Sequence, residues 1–147
     1  MQLSASLENY LETILDIYEE KQEIKATDIA KRSNVSKASV TEALRALAGK
    51  GLINYTPYEN ITLTSCGTDR AKKIMLKHKV LYDFLNGFLE IEKNEAMENA
   101  CKIEHVISEN VLNKFICFLE FNNINCVQKS EYIKDFHLFC KEKRKTS

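Results

Sequence analysis

Residues 26–52 read ATDIAKRSNVSKASVTEALRALAGKGL, and this stretch decides the fold. Two short helical segments flank a polar turn at Asn34, a residue type that tolerates a left-handed backbone. Ser36 is placed to cap the second segment, and Gly49 or Gly51 to end it. The spacing predicts a helix-turn-helix. Its expected shared core consists of Ile29, Val35, Val40, Leu44 and Leu47.

The segments on either side extend this unit. Before it, residues 7–18 carry apolar side chains at three- and four-residue steps, the period of an amphipathic helix. Asn9 and Glu12 fall on the side opposite that apolar stripe. After it, LINYTPYENITLT at 52–64 reads as two short strands around a turn. Together these elements predict a winged helix-turn-helix.

The rest of the chain is predicted to be helical. From about Gly67 the helical pattern returns for some twenty residues. Asn94 is placed to cap a further helix and Ser108 to cap the next, and a last helix is expected around 132–140, before a frayed end. The fold class is therefore mainly α, with a winged helix-turn-helix domain followed by an all-helical domain. The expected boundaries are 1–72, 73–124 and, for a C-terminal helix and tail, 125–147.

Composition excludes several classes of protein. The 147 residues hold 21 basic and 21 acidic side chains. No uncharged run exceeds nine residues, whereas a membrane span needs roughly 20 mostly apolar positions. The first twenty residues contain no Lys or Arg, unlike a secretory signal, and the five cysteines include no CxxC pair that would indicate a disulfide framework. We therefore expect a cytoplasmic protein that does not bind membranes.

Local charge and the helix-turn-helix together predict DNA binding. Residues 25–50 hold six basic side chains against two acidic ones, in a chain with no net charge. A helix over 36–48 fits the major groove, where basic and hydroxyl side chains reach phosphates and base edges. A solvated helix in an unrelated three-helix domain is the alternative. The expected contact residues are Lys25, Ser36, Lys37, Ser39, Thr41, Glu42 and Arg45.

A second candidate site lies in the run CKIEH at 101–105. On a helix, Cys101, Glu104 and His105 stand at i, i+3 and i+4 and project from one face, along the border of an apolar stripe. Thiolate, carboxylate and imidazole suit divalent transition metals rather than Mg(II) or Ca(II). A buried Cys beside a surface Glu and His is the alternative. His78, on an otherwise apolar helix face, is either a core residue or a ligand.

The order of these motifs resembles one known family. YLETI in the first helix, the winged helix, KHKVLYDFL and ACKIEHVIS follow one another as in the diphtheria toxin repressor and manganese transport regulator family of metal-dependent transcription factors. The resemblance covers about 7–121. It implies a homodimeric repressor that binds operator DNA when metal is plentiful and silences genes for metal uptake. It also implies six metal ligands, namely Asn9, Glu12, His78, Cys101, Glu104 and His105.

The implied ligand set mixes two types within this family. Asn9 stands where iron-type members have Met and manganese-type members have Asp. Glu12 matches the manganese type, and Cys101 matches the iron type. The thiolate gives a slight preference for Fe(II) over Mn(II) as the divalent cofactor. Tyr82 and Met97 stand where a second, iron-type site would need a carboxylate and an imidazole, which argues against that site here.

Two other functions stay open on the residues alone. A thiol-based redox regulator would use Cys66, Cys101 or Cys126, and peroxide or diamide rather than metal would then control DNA binding. An enzyme would use Cys101 as nucleophile and His105 as base, but the sequence has no evident third orienting group or oxyanion hole. We therefore predict a regulator rather than an enzyme.

Overall fold

The computed structural model describes residues 3–57, 59–124 and 129–145. The chain divides into two units, Met1–Leu76 and Lys77–Ser147. The functional boundaries expected at 72 and 124 stay a prediction. Within the described ranges no helix combines the length and the apolar character needed to cross a membrane.

The first helix, α1 (Ala5–Lys21), confirms the predicted amphipathic helix and extends it at both ends. It begins after Ser4, whose Oγ accepts a hydrogen bond from the Leu7 amide at 3.3 Å. The buried face is rotated from the expected stripe, because Leu15 and Ile17 are buried while Tyr18 is exposed. This rotation also brings the acidic side chain of Glu8 into the buried face of α1.

The helix-turn-helix consists of α2 (Ala26–Ser33) and α3 (Lys37–Gly49), as predicted. Asn34 has the expected left-handed backbone, with φ 52° and ψ 47°, and ends α2. The Ser36 side chain accepts a hydrogen bond from the Ser39 amide at 3.1 Å and caps α3. Val35 was wrongly assigned to the shared core: it is 37% exposed, because it follows the left-handed residue and stands in the turn outside the packed helix faces.

The predicted β-hairpin is present but short. Strands β1 (Ile53–Asn54) and β2 (Thr62–Leu63) pair antiparallel, with Ile53 opposite Leu63. A further antiparallel bridge joins Ile24, before α2, to Ile61, and both side chains are buried. The hairpin is therefore attached to the helices by core residues and forms a wing beside α3.

The long helix α4 (Ser65–Tyr82) begins two residues before the predicted start and is followed by a π-helical turn, Asp83–Phe88. Its first turn is fixed by Thr64, whose Oγ1 accepts a hydrogen bond from the Gly67 amide at 3.0 Å. Gly67 packs directly on the chain before β1, since a Cβ at this position would lie 1.9 Å from the carbonyl oxygen of Leu52. Only glycine permits this approach.

Three helices complete the second unit: α5 (Lys93–Glu104), α6 (Glu109–Ile124) and α7 (Lys129–Lys145). The Ser108 cap of α6 is confirmed by a 3.4 Å hydrogen bond from the Val111 amide. The Asn94 cap was wrong, because the Glu92 carboxylate accepts hydrogen bonds from the amides of both Asn94 and Glu95. Helix α7 is also longer than the predicted 132–140 and continues to Lys145, into the segment expected to fray.

Aromatic side chains hold the second unit together. Phe84 and Phe88, on the π-helical turn, meet rings from α6 and α7. The Phe84–Phe115 and Phe88–Phe118 pairs pack edge to face with ring centroids 4.7 Å apart, a favoured geometry for aromatic pairs. This packing fixes the end of α4 against α6, and hence the part of α4 that carries His78.

Candidate metal centre and nucleic-acid interface

The end of α5 brings three potential ligands together. Cys101 Sγ, a carboxylate oxygen of Glu104 and a ring nitrogen of His105 all lie within 4.8 Å of one another. His105 follows the last residue of α5 but keeps a helical backbone, with φ −78° and ψ −18°. The i, i+3, i+4 spacing therefore places all three side chains on one face, as the sequence predicted.

Glu104 is the buried centre of this group. The sequence placed it on the border of an apolar stripe, but its side chain is only 1% exposed. Its Oε2 accepts a 2.7 Å hydrogen bond from Nδ1 of His78, and its Oε1 lies 3.4 Å from Nε2 of His105. Among the described residues, Oε1 accepts no hydrogen bond. A carboxylate is costly to bury without full compensation, so this position calls for a nearby cation.

The donor atoms fit a divalent transition metal. Two ligands of one tetrahedral ion stand roughly 3.4 Å apart when each bond is about 2.1 Å long. The separation between Oε1 of Glu104 and Nε2 of His105, 3.4 Å, has this value. The wider 4.8 Å limit for the whole group, which includes Cys101, can be closed by side-chain rotation. Sulfur, oxygen and nitrogen donors in one place are the mixture that Fe(II), Co(II) and Zn(II) accept.

His78 joins this group from α4. Sequence reasoning left it between a core residue and a ligand, and the structure places it beside Glu104, 26 residues further along the chain. Its Nε2 lies 3.3 Å from the sulfur of Met97 on α5, and its side chain is 27% exposed. His78 therefore contacts the candidate centre, although its role as a ligand stays a prediction.

The two candidate ligands on α1 belong to the first unit. Asn9 is exposed and Glu12 is partly buried, and their ligand roles stay a prediction. Sequence reasoning missed their neighbour Glu8, which is buried and lies 3.3 Å from Nη2 of Arg70 on α4. A signal was available, because positions 8, 11 and 15 share one helical face and the latter two are leucines.

The predicted DNA-contacting residues lie on α3 or at its N-terminus, except Lys25, which precedes α2. Six of them are exposed: Lys25, Ser36, Lys37, Ser39, Glu42 and Arg45. Thr41 differs, since it is half-buried and its hydroxyl donates a 2.9 Å hydrogen bond to the carbonyl oxygen of Lys37. Its hydroxyl hydrogen is therefore occupied, and toward an outside group the hydroxyl oxygen can only accept.

A groove of about 460 Å³ separates α3 from the wing. Its lining includes three cationic side chains, Lys25, Lys37 and Arg45, together with Tyr55 and the acidic Glu59 of the wing. Three cations along a groove attract a polyanion such as a phosphate backbone. The arrangement fits DNA entering between the helix and the wing.

The described cysteines form no disulfide bond. Cys66 and Cys117 are exposed, whereas Cys101 and Cys140 are partly buried. Cys126, one of the thiols considered for redox regulation, lies outside the described residues. Of the thiols in the described part of the chain, Cys101 alone belongs to the cluster of candidate ligands.

Two family models match the chain in succession. The iron dependent repressor N-terminal DNA binding domain matches residues 2–61. The iron dependent repressor metal binding and dimerisation domain matches residues 64–131. The first match contains the helix-turn-helix and most of the wing, and the second contains the Glu104 cluster.

Similar proteins of known name are transcriptional regulators. An uncharacterised helix-turn-helix regulator of Methanocaldococcus jannaschii is 43% identical over 119 residues, which are 80% of this chain and 95% of that protein. The regulator MntR of Escherichia coli is 32% identical over 114 residues, 78% of this chain and 73% of that protein.

A structure of similar fold is known as well. A manganese-dependent transcriptional repressor in complex with manganese is 27% identical with a TM-score of 0.71, over 78% of this chain and 53% of that one. The present chain thus spans about half the length of that solved repressor.

Proposed function

Because the chain belongs to the iron-dependent repressor family of metal-dependent transcriptional regulators, we propose that it is a DNA-binding repressor controlled by a divalent transition metal. One observation carries the proposal: a winged helix-turn-helix and a buried Cys–Glu–His cluster occur on the same chain. The first reads DNA, and the second senses the metal. The relatives named above are regulators, and the function proposed here is likewise not enzymatic.

The DNA-binding part comprises residues 1–72. The exposed basic groups of Lys25, Lys37 and Arg45 bind phosphates along the groove, while Ser36 and Ser39 approach the phosphates and base edges at the start of α3. Thr41 contributes its methyl group and its hydroxyl oxygen, which can accept from a base amine, and Glu42 accepts from a cytosine amine or stays clear of phosphates. The partner is double-stranded operator DNA.

Residues 73–124 bind metal and form a homodimer, with 125–147 as a C-terminal helix and tail. Two copies place two α3 helices on one operator, where the major-groove half-sites lie about 34 to 36 Å apart or a multiple of that distance. A coupling of roughly 1 to 3 kcal/mol between metal and DNA binding, about 5- to 150-fold in affinity, makes a sufficient switch.

The proposed ligands are Asn9, Glu12, His78, Cys101, Glu104 and His105. A bound metal supplies positive charge beside the buried carboxylate. Glu104 contributes Oε1, which accepts no hydrogen bond among the described residues, while its Oε2 holds the His78 ring in place. Cys101 and His105 add donors of the softer kind. The inclusion of Asn9 and Glu12 rests on the family resemblance.

We propose Fe(II) as the preferred ion, slightly ahead of Mn(II), with genes for metal uptake as the targets. The preference follows from the Cys101 thiolate, because sulfur ligands favour Fe(II) over the harder Mn(II). The carboxylates of Glu12 and Glu104 favour Mn(II), so the expected difference in affinity between Fe(II) and Mn(II) is small.

The test is metal-dependent DNA binding under anaerobic conditions. Operator sequences are selected from random duplexes with the Fe(II)-loaded protein, and affinities are then measured with Fe(II), with Mn(II) and with a chelator. We expect the chelator to remove specific binding and diamide to have no effect without metal. Binding that persists in chelator, or that diamide alone controls, would contradict the proposal.

A pair of variants tests the metal preference. Cys101→Glu is expected to move the preference toward Mn(II), because a carboxylate replaces the thiolate. Cys117→Ser is the matched control, since Cys117 is an exposed thiol on α6 outside the cluster. An unchanged preference in Cys101→Glu would remove Cys101 as its determinant.

A further inference from the structure

Glu59 carries a negative charge into the groove that is proposed to receive DNA. It lines the groove together with Lys25, Lys37 and Arg45, and its side chain is exposed. Of the described residues in this lining, Glu59 alone is acidic. The three cations attract phosphate, whereas a carboxylate repels it. One side chain of the groove therefore opposes the proposed ligand.

The carboxylate of Glu59 is not neutralised by a neighbouring cation. In the part of the chain that the structure describes, no ion pair involves Glu59. Lys25 pairs instead with Glu23, at 3.3 Å between Nζ and Oε1. The negative charge of Glu59 thus acts on whatever enters the groove.

The backbone holds Glu59 at this place. Its amide donates a 3.1 Å hydrogen bond to the carbonyl oxygen of Thr56. Two residues later, the Ile61 amide donates a 3.2 Å hydrogen bond to the carbonyl oxygen of Ile24, and both isoleucine side chains are buried. Because Lys25 follows Ile24 directly, this bridge keeps the wing next to the start of α2. The Glu59 side chain can rotate, but its backbone stays at the groove.

The start of α2 is a favourable place for a phosphate. Ala26 and Thr27 also line the groove, and the N-cap residue Lys25 makes no side-chain capping hydrogen bond. The amide groups of a first helical turn and the positive end of the helix dipole favour an anion. A phosphate here is therefore attracted by the helix end and by Lys25, and repelled by Glu59.

We propose that Glu59 weakens DNA binding through phosphate contacts, and so restrains the metal-free protein from occupying DNA of any sequence. This inference rests on the proposed function and adds a repulsive residue to its DNA-binding surface. Non-specific binding comes almost entirely from phosphate contacts. Operator binding adds base contacts from α3 and the pairing of two heads, and these compensate for the repulsion. Repulsive elements of this kind commonly contribute to specificity.

The test is the affinity for a random-sequence duplex in chelator, measured by fluorescence anisotropy at two salt concentrations. Coulomb repulsion across about 7 Å of solvent corresponds to roughly threefold in affinity, and the lower dielectric of an interface raises this to about tenfold. We therefore expect Glu59→Gln to bind about three- to tenfold more tightly at about 50 mM salt. The gain should be smaller at about 200 mM, because salt screens the repulsion.

Two further variants define the origin of this gain. Glu59→Lys should bind more tightly still and steepen the slope of log affinity against log salt by about 0.9, the value for one added phosphate contact. Glu19→Gln is the matched control, because it removes the same charge from an exposed position on α1 outside the groove. We expect its affinity to stay within about 1.5-fold of the wild type.

The possible results separate this inference from the proposed function. No gain in Glu59→Gln, or a gain equal to that of Glu19→Gln, would overturn the role of Glu59 while Fe(II)-dependent operator binding by the wild type stands. Weaker binding by Glu59→Gln would also overturn it, by showing that the carboxylate makes a favourable contact. A wild type that binds neither duplex, with or without metal, would overturn both. A salt-sensitive gain confined to position 59 supports the proposal.

Discussion

Replacing Glu104 by Gln is expected to remove metal binding without destabilising the metal-free protein. A buried residue that serves packing and hydrogen bonding alone loses stability when it is altered. Glu104 is different, because its buried charge favours cation binding but lowers the stability of the protein when no cation is bound. The Gln side chain has nearly the same shape, but it loses the negative charge and carries an amide donor in place of one carboxylate oxygen.

The expected change in the free energy of unfolding follows from the contacts of the two carboxylate oxygens of Glu104. Oε1 accepts no hydrogen bond among the described residues, and an unsatisfied buried acceptor costs about 1 to 3 kcal/mol. Oε2 accepts the 2.7 Å hydrogen bond from His78, which the Gln oxygen can replace. Exchanging a charge-assisted hydrogen bond for a neutral one loses about 1 kcal/mol. The Gln amide nitrogen takes the place of Oε1, 3.4 Å from Nε2 of His105, whose lone pair can accept a hydrogen bond from it. We therefore expect the free energy of unfolding without metal to rise by about 0 to 2 kcal/mol.

Urea unfolding followed by circular dichroism measures both parts of this prediction, since the chain has no Trp. Protein concentration is held fixed, and each variant is compared in chelator and in Co(II). At 100 times its dissociation constant, Co(II) should stabilise the wild type by about 2.7 kcal/mol. Glu104→Gln should gain less than about 1 kcal/mol under the same conditions.

Glu98→Gln is the matched control on the same helix. The Glu98 side chain is 73% exposed and its contact with Lys102 is long, at 3.8 Å, so its removal should change neither measurement. The reasoning would be refuted by a metal-free Glu104→Gln protein that is less stable than the wild type by more than about 2 kcal/mol and keeps the full Co(II) gain. Glu104 would then serve packing alone.

Three further substitutions test the first unit. Ser36→Ala should lower the free energy of unfolding by about 1 kcal/mol through loss of the α3 cap, and unchanged urea unfolding would contradict this role. Gly67→Ala should cost about 1 to 3 kcal/mol, because its Cβ would meet the Leu52 carbonyl at 1.9 Å, whereas Gly49→Ala, with no atom within 4 Å, should cost nothing in the same assay. Lys37→Ala should reduce the slope of log affinity for operator against log salt by about 1, and an unchanged slope would exclude a phosphate contact.

The parts of the fold that sequence predicted are those fixed by local chemistry. Asn34 ends α2 and Ser36 caps α3 because a left-handed backbone and a free hydroxyl act within a few residues. The errors arose where two local signals competed or where packing decided. Glu92 caps α5 because the helix begins at Lys93, which places Asn94 inside the first turn. Val35 is exposed because it stands in the turn between the two helices.

The candidate site divides in the same way. Cys101, Glu104 and His105 were recognised because one helix turn brings them together, and periodicity shows this directly. The contacts of His78 with Glu104 and Met97 join two helices, and no periodicity relates residues 26 or 19 positions apart. The family resemblance identified His78 as a candidate ligand, but only the packing of α4 beside α5 shows which side chains it contacts.

Under the proposed function, the burial of Glu104 suits the cluster to sensing a metal rather than to a purely structural role. The cost of an unsatisfied buried acceptor, about 1 to 3 kcal/mol, is of the same size as the coupling that a metal-dependent switch requires. A fully satisfied carboxylate would offer less to gain on binding, and an exposed one would already be compensated by water. Because coupling free energies are reciprocal, any part of this energy that reaches DNA affinity must also raise metal affinity when operator is bound. The 1% exposure of one glutamate thus makes the metal-free state costly enough for a metal to matter.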